Sequence, residues 1–212
     1  MSRPRKTAAQ LQAMRDQILN IAYAILEEEG PEAISSRAIA ERMGIAHMSL
    51  FTYFENQAAI MRSLRERELS KWRAQRHILE QRAQSEDIAK VVKEMLRSSV
   101  DLAREKPNLF RLAWVTPEMS GESMAQTRSR MQDTVASLAG LLQIGMTQGV
   151  FRLREPRIAA ITVLGMVNMP HILFHSGKIT DPATRDRVVD EVLSAAMLYL
   201  RSEESLDGKT SY

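Results

Sequence analysis

The sequence has 212 residues, of which 44% are hydrophobic and 26% are charged, and this composition is typical of a globular protein. It contains no cysteine, which excludes a disulfide framework and thiolate metal sites. The net charge of +3 is unevenly distributed, because residues 1–15 carry four basic side chains and no acidic one, whereas residues 16–56 carry seven acidic and two basic side chains. Charge alone therefore does not identify residues 16–56 as a nucleic-acid-binding region.

Apolar residues recur with a helical period along the whole chain, so the sequence predicts an all-α fold of about nine helices. The first helix is predicted from about Ala9 to Glu29, where Gly30 and Pro31 end it. The next four helices are predicted over about residues 36–43, over about residues 47–54, from Asn56 to about Gln84, and between Ser85 and Pro107. The last four are predicted over about residues 108–115, from a loop at residues 119–123 to about Gly149, from near Pro156, and from Asp181-Pro182.

The eighth predicted helix requires comparison with a membrane span. Its residues 158–177, IAAITVLGMVNMPHILFHSG, contain no formally charged side chain. A bilayer span needs roughly 20 predominantly apolar residues, but Asn168, Pro170, His171 and His175 interrupt this segment. A buried helix of a soluble protein is therefore favoured. No apolar stretch follows the N-terminal basic cluster, so we expect no signal peptide and a cytoplasmic protein.

The segment from Ser36 to Phe54, SRAIAERMGIAHMSLFTYF, predicts two short helices joined by a tight turn at Gly44. Ala40 is small enough to allow the two helices to approach closely. This arrangement is typical of a helix-turn-helix, whose second helix enters the DNA major groove, and an ordinary helical hairpin is the alternative. In the helix-turn-helix frame, the exposed side chains are His47, Met48, Ser49, Thr52 and Tyr53, which offer hydrogen-bonding groups and a contact for a thymine methyl.

Residues 35–64, SSRAIAERMGIAHMSLFTYFENQAAIMRSL, resemble the N-terminal domain of the tetracycline-repressor (TetR) family of transcriptional regulators. The family pattern is roughly a hydroxyl pair before the first short helix, then Ile-Ala, a Gly-Val turn, a Ser/Thr-Leu-Tyr motif, an aromatic pair and an Asn/Ser-Lys step. The number of predicted helices and the chain length also match the family. The resemblance implies an N-terminal DNA-binding domain over residues 1–55 and a C-terminal ligand-binding and dimerisation domain over residues 56–212.

The resemblance also implies DNA contacts at the matching positions. Ser36 and Arg37 would contact phosphates at the start of the first short helix. The basic residues near the N-terminus could reach a minor groove, as some N-terminal arms do, and a solvated tail is the alternative. The implied groove residues are His47, Met48 and Ser49, the residues against the sugar-phosphate backbone are Phe51 and Tyr53, and the arm residues are Arg3, Arg5 and Lys6.

Two residues depart from the family pattern. The family often has lysine at the position of Gln57, so one phosphate contact loses its charge. Ala46 stands where serine or threonine commonly caps the recognition helix, so this N-cap is expected to be weak. Both departures bear on the affinity for DNA and not on the fold.

The C-terminal helices, by the same resemblance, form a dimerising ligand sensor. The ninth predicted helix has a broad apolar face and the eighth is apolar on most sides. The sequence therefore predicts a homodimer through the eighth and ninth helices, with two core helices of a monomer as the alternative. The apolar face of the ninth helix comprises Val188, Val189, Val192, Leu193, Ala196 and Leu200.

Methionine and aromatic residues collect in the middle of the C-terminal region, where flexible thioethers suit a pocket for apolar or amphipathic ligands. Plain core packing is the alternative. His171 and His175 have the spacing of metal ligands, but no cysteine or nearby acid accompanies them, so we predict no metal site and no cofactor. The predicted ligand-binding residues are Phe110, Trp114, Met131, Met169 and His171.

Together these features predict a ligand-responsive transcriptional regulator, a repressor released from a palindromic operator by a small molecule. An enzyme is disfavoured, because the sequence contains no GxGxxG, P-loop, HExxH or nucleophile-elbow motif. A constitutive DNA-binding or helical interaction protein without a small-molecule inducer is the alternative that stays open.

Overall fold

The computed structural model describes residues 7–116 and 124–202. Within these two ranges the secondary structure is helical, and extended pairing is limited to one bridge between Phe151 and Arg201, so the predicted all-α class is confirmed. The loop predicted at residues 119–123 lies outside the described residues. The α-helices are α1 (Ala8–Glu29), α2 (Ser36–Met43), α3 (Gln57–Arg82), α4 (Ile88–Glu105), α5 (Pro107–Phe110), α6 (Met124–Thr147), α7 (Pro156–His175) and α8 (Pro182–Leu200).

Helix starts follow from capping groups that the sequence places just before each helix. Thr7 and Gln10 form a reciprocal capping box at the start of α1. The Asn56 side chain accepts a hydrogen bond of 2.9 Å from the backbone N–H of Ala59 at the start of α3. Asp181 accepts from two backbone N–H groups of α8, whose first residue is a proline.

The chain divides into two compact units. The first contains the described residues 7–70 and 106–116, and the second contains residues 71–105 and 124–202. Helix α3 begins in the first unit and ends in the second. The functional domain limits at residues 55 and 56 stay a prediction.

Helix α1 supplies much of the core of the first unit, with Ile18, Ala22 and Ile25 fully buried. Gly30 ends the helix at a φ of 91°, and its N–H donates to the carbonyl of Leu26. The last turn of α1 carries three glutamates, which oppose the helix dipole at that end. Arg42 of α2 forms ion pairs with two of them, Glu28 and Glu29, and so offsets this unfavourable arrangement.

The predicted sixth helix is present as α5 followed by a π-helical turn over Arg111–Val115. Three polar contacts attach this region to α1 and to the short 3₁₀ turn Pro31–Ala33 that follows it. Lys106 donates to the Tyr23 hydroxyl at 2.8 Å, Asn108 donates to the carbonyl of Glu27 at 3.2 Å, and Arg111 pairs with Glu32.

The third predicted helix differs from the expectation, because residues His47–Thr52 form a 3₁₀-helix and not an α-helix. Ala46 makes no side-chain cap, as its residue type predicts. Without a cap, a six-residue segment gains little from helix cooperativity, and short 3₁₀ turns with i→i+3 hydrogen bonds are the common result. The N–H of Ser49 bonds to the carbonyl of Ala46 at 2.8 Å, and that of Tyr53 bonds to the carbonyl of Leu50 at 2.9 Å.

The core of the second unit is formed by the apolar faces of α4, α6, α7 and α8, with α7 packed between α6 and α8. Helix α7 is long and apolar enough to cross a membrane by length and composition alone, a test that core helices of soluble proteins also pass. Its inward residues Ala159, Val163 and Val167 are fully buried in this core, as expected for a core helix.

Glycine is required at residue 145 of α6 because the Phe151 ring, which is only 2% exposed, packs directly against the backbone there. A Cβ atom built on Gly145 would lie 2.2 Å from this ring, whereas a Cβ atom on Gly140 of the same helix would contact nothing within 4 Å. The absence of a side chain at residue 145 therefore permits the close approach.

We predict that Gly145→Ala lowers the free energy of unfolding by about 1–3 kcal/mol, because the ring must move from a packed site. Gly140→Ala is the matched control and should raise stability by about 0.5–1 kcal/mol, since alanine is favoured over glycine within a helix. Thermal unfolding followed by circular dichroism measures both. Equal melting temperatures for the two variants would contradict the packing of Phe151 against Gly145.

Candidate nucleic-acid interface

The turn between α2 and the 3₁₀-helix has the geometry expected of a helix-turn-helix. Ser35 caps α2 by accepting a hydrogen bond from the N–H of Ala38 at 3.1 Å. Gly44 ends α2 in the left-handed conformation, with a φ of 63°, and the N–H of Ile45 bonds back to the carbonyl of Ala40 at 3.1 Å. The sequence prediction for this turn is therefore confirmed in its location and in its use of glycine.

The 3₁₀-helix, which we call the recognition segment (His47–Thr52), places one residue inward and others outward. Leu50 is fully buried, and Met48 on the opposite side is 69% exposed. His47 and Ser49 are half-buried. The His47 ring meets the Phe51 ring edge to face, with 5.3 Å between the ring centroids. The segment therefore presents a mixed apolar and polar surface, and its buried Leu50 side chain packs it against the interior.

A hydrogen-bonded chain connects the start of α2 to this segment. The Ser36 hydroxyl lies 3.0 Å from His47 Nε2, and the Ser36 residue is only 8% exposed. The Ser36 N–H donates to Gln57 Oε1 at 3.3 Å, and Gln57 Nε2 donates to the carbonyl of Ile34 at 3.1 Å. The side chain of Gln57, the residue that departs from the family lysine, is thus hydrogen-bonded within the protein.

Arg15 of α1 holds the end of the recognition segment, a role that sequence reasoning missed. Its guanidinium donates to the carbonyl of Tyr53 at 2.6 Å and lies 4.2 Å from the centroid of the Phe54 ring. Tyr53 is buried, with 8% of its surface exposed, so the prediction of an exposed Tyr53 side chain is wrong. The sequence signal near Arg15 was the excess of positive charge in residues 1–15. A charge excess does not indicate which residue an arginine binds, and the partner here is 38 residues away.

The remaining predicted DNA contacts fall into two groups. Arg37 is exposed on the first turn of α2. Arg3, Arg5 and Lys6 lie outside the described residues.

The five predicted ligand-binding residues are distributed over both units. Phe110 and Trp114 belong to the first, where their rings stack with centroids 5.2 Å apart. The other three belong to the second, where Met131 and Met169 are 52% and 50% exposed and His171 is 1% exposed. Within the second unit, the two methionines therefore face solvent while the histidine is in the interior.

The environment of His171 favours the neutral imidazole. Burial, followed by the charges of Arg185, His175 and Arg104, lowers its pKa to about 4, and Asp186 opposes this shift. At neutral pH the ring therefore carries one hydrogen-bond donor and one acceptor. In the described ranges, no group of three histidine, aspartate or glutamate side chains is arranged to hold a metal ion.

A cleft of about 370 Å³ lies between α4 and α8 in the second unit. Leu193 and Met197 contribute apolar surface to it. Three cations line it, Lys93, Arg97 and Arg201, and within the described part of the chain none of the three forms an ion pair. Asp190 contributes one carboxylate, so the cleft carries a net positive charge. The predicted ligand-binding residues do not line this cleft.

Two family models match the sequence, one in its N-terminal region and one in its C-terminal region. Residues 18–64 match the profile of bacterial regulatory proteins of the tetR family, and residues 83–192 match that of the tetracyclin repressor-like C-terminal domain. None of the curated proteins compared with the sequence matches it.

Solved structures with the same fold include three bacterial regulators of low sequence identity. A TetR-family regulator from Agrobacterium tumefaciens has a TM-score of 0.70 at 16% identity and covers 91% of this chain and 100% of its own. A transcriptional regulator from Cytophaga hutchinsonii has a TM-score of 0.68 at 16% identity, covering 90% and 100%. The regulator FadR from Bacillus subtilis, solved with stearoyl-CoA, has a TM-score of 0.65 at 16% identity, covering 88% and 99%.

The structural likeness establishes the shared fold, and the sequence profiles establish kinship. One profile covers the helix-turn-helix described above, and the other alone spans more than half of the 212 residues. The chain therefore belongs to the tetracycline-repressor family of bacterial DNA-binding transcriptional regulators.

Proposed function

We propose that this family member is a repressor that binds a palindromic operator as a homodimer and leaves it when a small amphipathic molecule binds. The observation that carries the proposal is the recognition segment, where Met48 projects into solvent beside His47 and Ser49 while Leu50 anchors the backbone. Exposed apolar and hydrogen-bonding groups on a rigid segment suit base edges in a major groove. Action on chromosomal DNA places the protein in the cytoplasm.

The proposed DNA contacts separate into phosphate and base contacts. Arg37, exposed at the start of α2, supplies charge to a phosphate, and the half-buried Phe51 contacts the sugar-phosphate backbone. Tyr53 is buried and is left out of the proposed contacts. Met48 and Ser49 face the bases. Phosphate contacts fix the register without carrying sequence information, whereas base contacts define the site.

We expect Arg37→Ala to weaken binding to all DNA sequences by a similar factor. Met48→Ala should instead change the preferred base at one position in each half-site, by about 1–3 kcal/mol for a direct contact. Selection from a random DNA pool, repeated for each variant, measures both effects. Arg128→Ala, which removes an exposed arginine of α6 outside the proposed dimer face, controls for a general loss of positive charge. The proposed assignment of Arg37 to a phosphate and Met48 to a base would be wrong if Arg37→Ala changed the base preference and Met48→Ala did not.

Exposed apolar faces on α7 and α8 support the proposed dimer. Ile158, Ile161 and Met169 of α7 are 58%, 47% and 50% exposed, and their spacing places them on one side of the helix. The face predicted for α8 is smaller than expected, because four of its six residues are buried in the core of the second unit: Val189, Leu193, Ala196 and Leu200. What is left on α8 is the half-buried Val188 and Val192 beside the exposed Ala195. Two such helices from each protomer would bury these faces as a four-helix interface and set the two recognition segments roughly 34–36 Å apart, one turn of DNA.

Ile161→Lys is expected to shift the protein from dimer to monomer, because it places a charge in the proposed apolar interface. Ile78→Lys is the matched control, since Ile78 is 54% exposed on α3 and outside the proposed interface. Sedimentation velocity at micromolar concentration distinguishes the two states. The proposal fails if the unmodified protein sediments as a monomer, or if both variants stay dimeric.

The cleft between α4 and α8 supports an effector with an apolar chain and an anionic head group. Its apolar surface can hold the chain, and Lys93, Arg97 and Arg201 offer three cations to the head group. The cleft and the remaining dimer face occupy different sides of α8, because the cleft residue Asp190 is two positions, or about 200° of helical rotation, from both Val188 and Val192. Leu193, which was predicted to lie on the dimer face, lines the cleft instead. The B. subtilis relative, solved with stearoyl-CoA, contains an amphipathic anion of this class.

Decanoate should bind the protein more weakly after Arg97→Gln, by about fivefold, because one exposed ionic contact contributes at most about 1 kcal/mol. Lys90→Gln, at an exposed α4 position that does not line the cleft, should leave the affinity unchanged. Isothermal titration calorimetry measures both affinities. Repeating the titration with selected DNA tests the coupling, since the DNA must weaken decanoate binding by the factor with which decanoate weakens DNA binding. Equal affinity of both variants for decanoate would contradict the proposal that the effector binds in this cleft.

A further inference from the structure

We infer that Ser36 and Gln57 are positioning residues that set the base preference of His47 without contacting a base themselves. The inference rests on the proposed DNA binding by the recognition segment. It assigns to Ser36 a role different from the phosphate contact that the family resemblance implies.

The orientation of the His47 ring is fixed by two contacts at different points of the ring. Nε2 lies 3.0 Å from the Ser36 hydroxyl, and the Phe51 ring meets the imidazole at an interplanar angle of 90°. A histidine side chain has two rotatable bonds, so two contacts are enough to hold both. A ring held in place before DNA arrives loses less conformational entropy on binding and discriminates more sharply between bases.

The bond to Ser36 also selects which ring nitrogen is available to DNA. Because Nε2 is engaged by the serine hydroxyl, Nδ1 is the nitrogen left to donate to or accept from a base edge. Loss of the serine hydroxyl would free Nε2 as well and allow the ring to rotate. The expected result is a relaxed preference at the base that His47 reads.

Gln57 holds Ser36 in place from the first turn of α3. Its amide accepts from the Ser36 N–H and donates to the carbonyl of Ile34, two bonds that need an acceptor and a donor on one side chain. Lysine, common at this position in the family, has donors only and cannot accept from Ser36. The departure from the family pattern is thus explained by a hydrogen-bonded chain from α3 through Ser36 to His47.

The adjacent serine provides a matched control. Ser35→Ala removes the N-cap of α2 but no contact to His47, so it should lower the melting temperature and leave the base preference unchanged. Ser36→Ala should relax the preference at the His47 position of each half-site and weaken binding to the selected site by about fivefold. Ser36→Thr keeps the hydroxyl and should keep the preference. Selection from a random DNA pool reports the base preference, and thermal unfolding reports the stability of each variant.

A double-mutant cycle tests whether Ser36 acts through His47. In a His47→Ala background, Ser36→Ala should cause no further loss of affinity, because its effect requires the imidazole. A nitrogen NMR spectrum of the free protein gives a readout without DNA, in which Ser36→Ala shifts the His47 Nε2 resonance and Ser35→Ala does not.

Additive losses of affinity in the cycle would overturn the inference, as would an unchanged base preference in Ser36→Ala. An unchanged Nε2 resonance in that variant would also overturn it. If the unmodified protein enriches no sequence from the pool, the proposed DNA-binding function itself fails, and this outcome is distinct from the others.

Discussion

The recognition segment, with six residues and no side-chain N-cap, cannot hold its shape by local hydrogen bonds alone. Its conformation depends on the buried side chain of Leu50, which fixes the segment to the interior of the first unit. The glycine turn before the segment and Arg15 after it fix its two ends. Any DNA contact made by Met48 or His47 would therefore depend on packing and hydrogen bonds that lie behind the surface proposed to face DNA.

A chain of hydrogen bonds also connects the start of α3 to the surface proposed to read DNA. Gln57 is the first residue of α3, and its amide contacts reach Ser36, whose hydroxyl reaches His47. Helix α3 continues into the second unit, where the proposed effector cleft lies. An effector can shift DNA binding only by its differential affinity for two states of the protein, typically about 1–3 kcal/mol. A shift of that size equals the energy of one or two such hydrogen bonds.

Local signals in the sequence predicted the helices well. Ser35, Gly44, Asn56 and Asp181 act on backbone groups only a few residues away, so the start and end of α2 and the starts of α3 and α8 could be predicted from residue type. The 3₁₀ form of the recognition segment was not predicted, although the weak cap at Ala46 was. A missing cap is visible in a sequence, but the conformation that replaces an uncapped helix depends on tertiary packing.

Contacts between distant parts of the chain could not be predicted. Arg15 bonds to the backbone of a residue 38 positions away, and Arg42 pairs with two glutamates, of which the nearer, Glu29, is 13 positions away. No periodicity relates these partners. The predicted ligand residues illustrate the same limit, since helical spacing identifies the face that Met169 shares with Ile158 but does not say that this face is exposed. The sequence motif located the surface that we propose to face DNA, whereas the hydrogen bonds from Gln57 to Ser36 and from Ser36 to His47 required the three-dimensional structure.

In the proposed complex, the two recognition segments of one homodimer bind the two half-sites of the operator. Hydroxyl-radical footprinting on a DNA fragment that contains the selected site tests this arrangement most directly, because the method reports protection at each sugar. A bound dimer should give two protected patches on one face of the duplex, related by two-fold symmetry and separated by roughly 34–36 Å. A single protected patch, or uniform protection along the fragment, would contradict this arrangement.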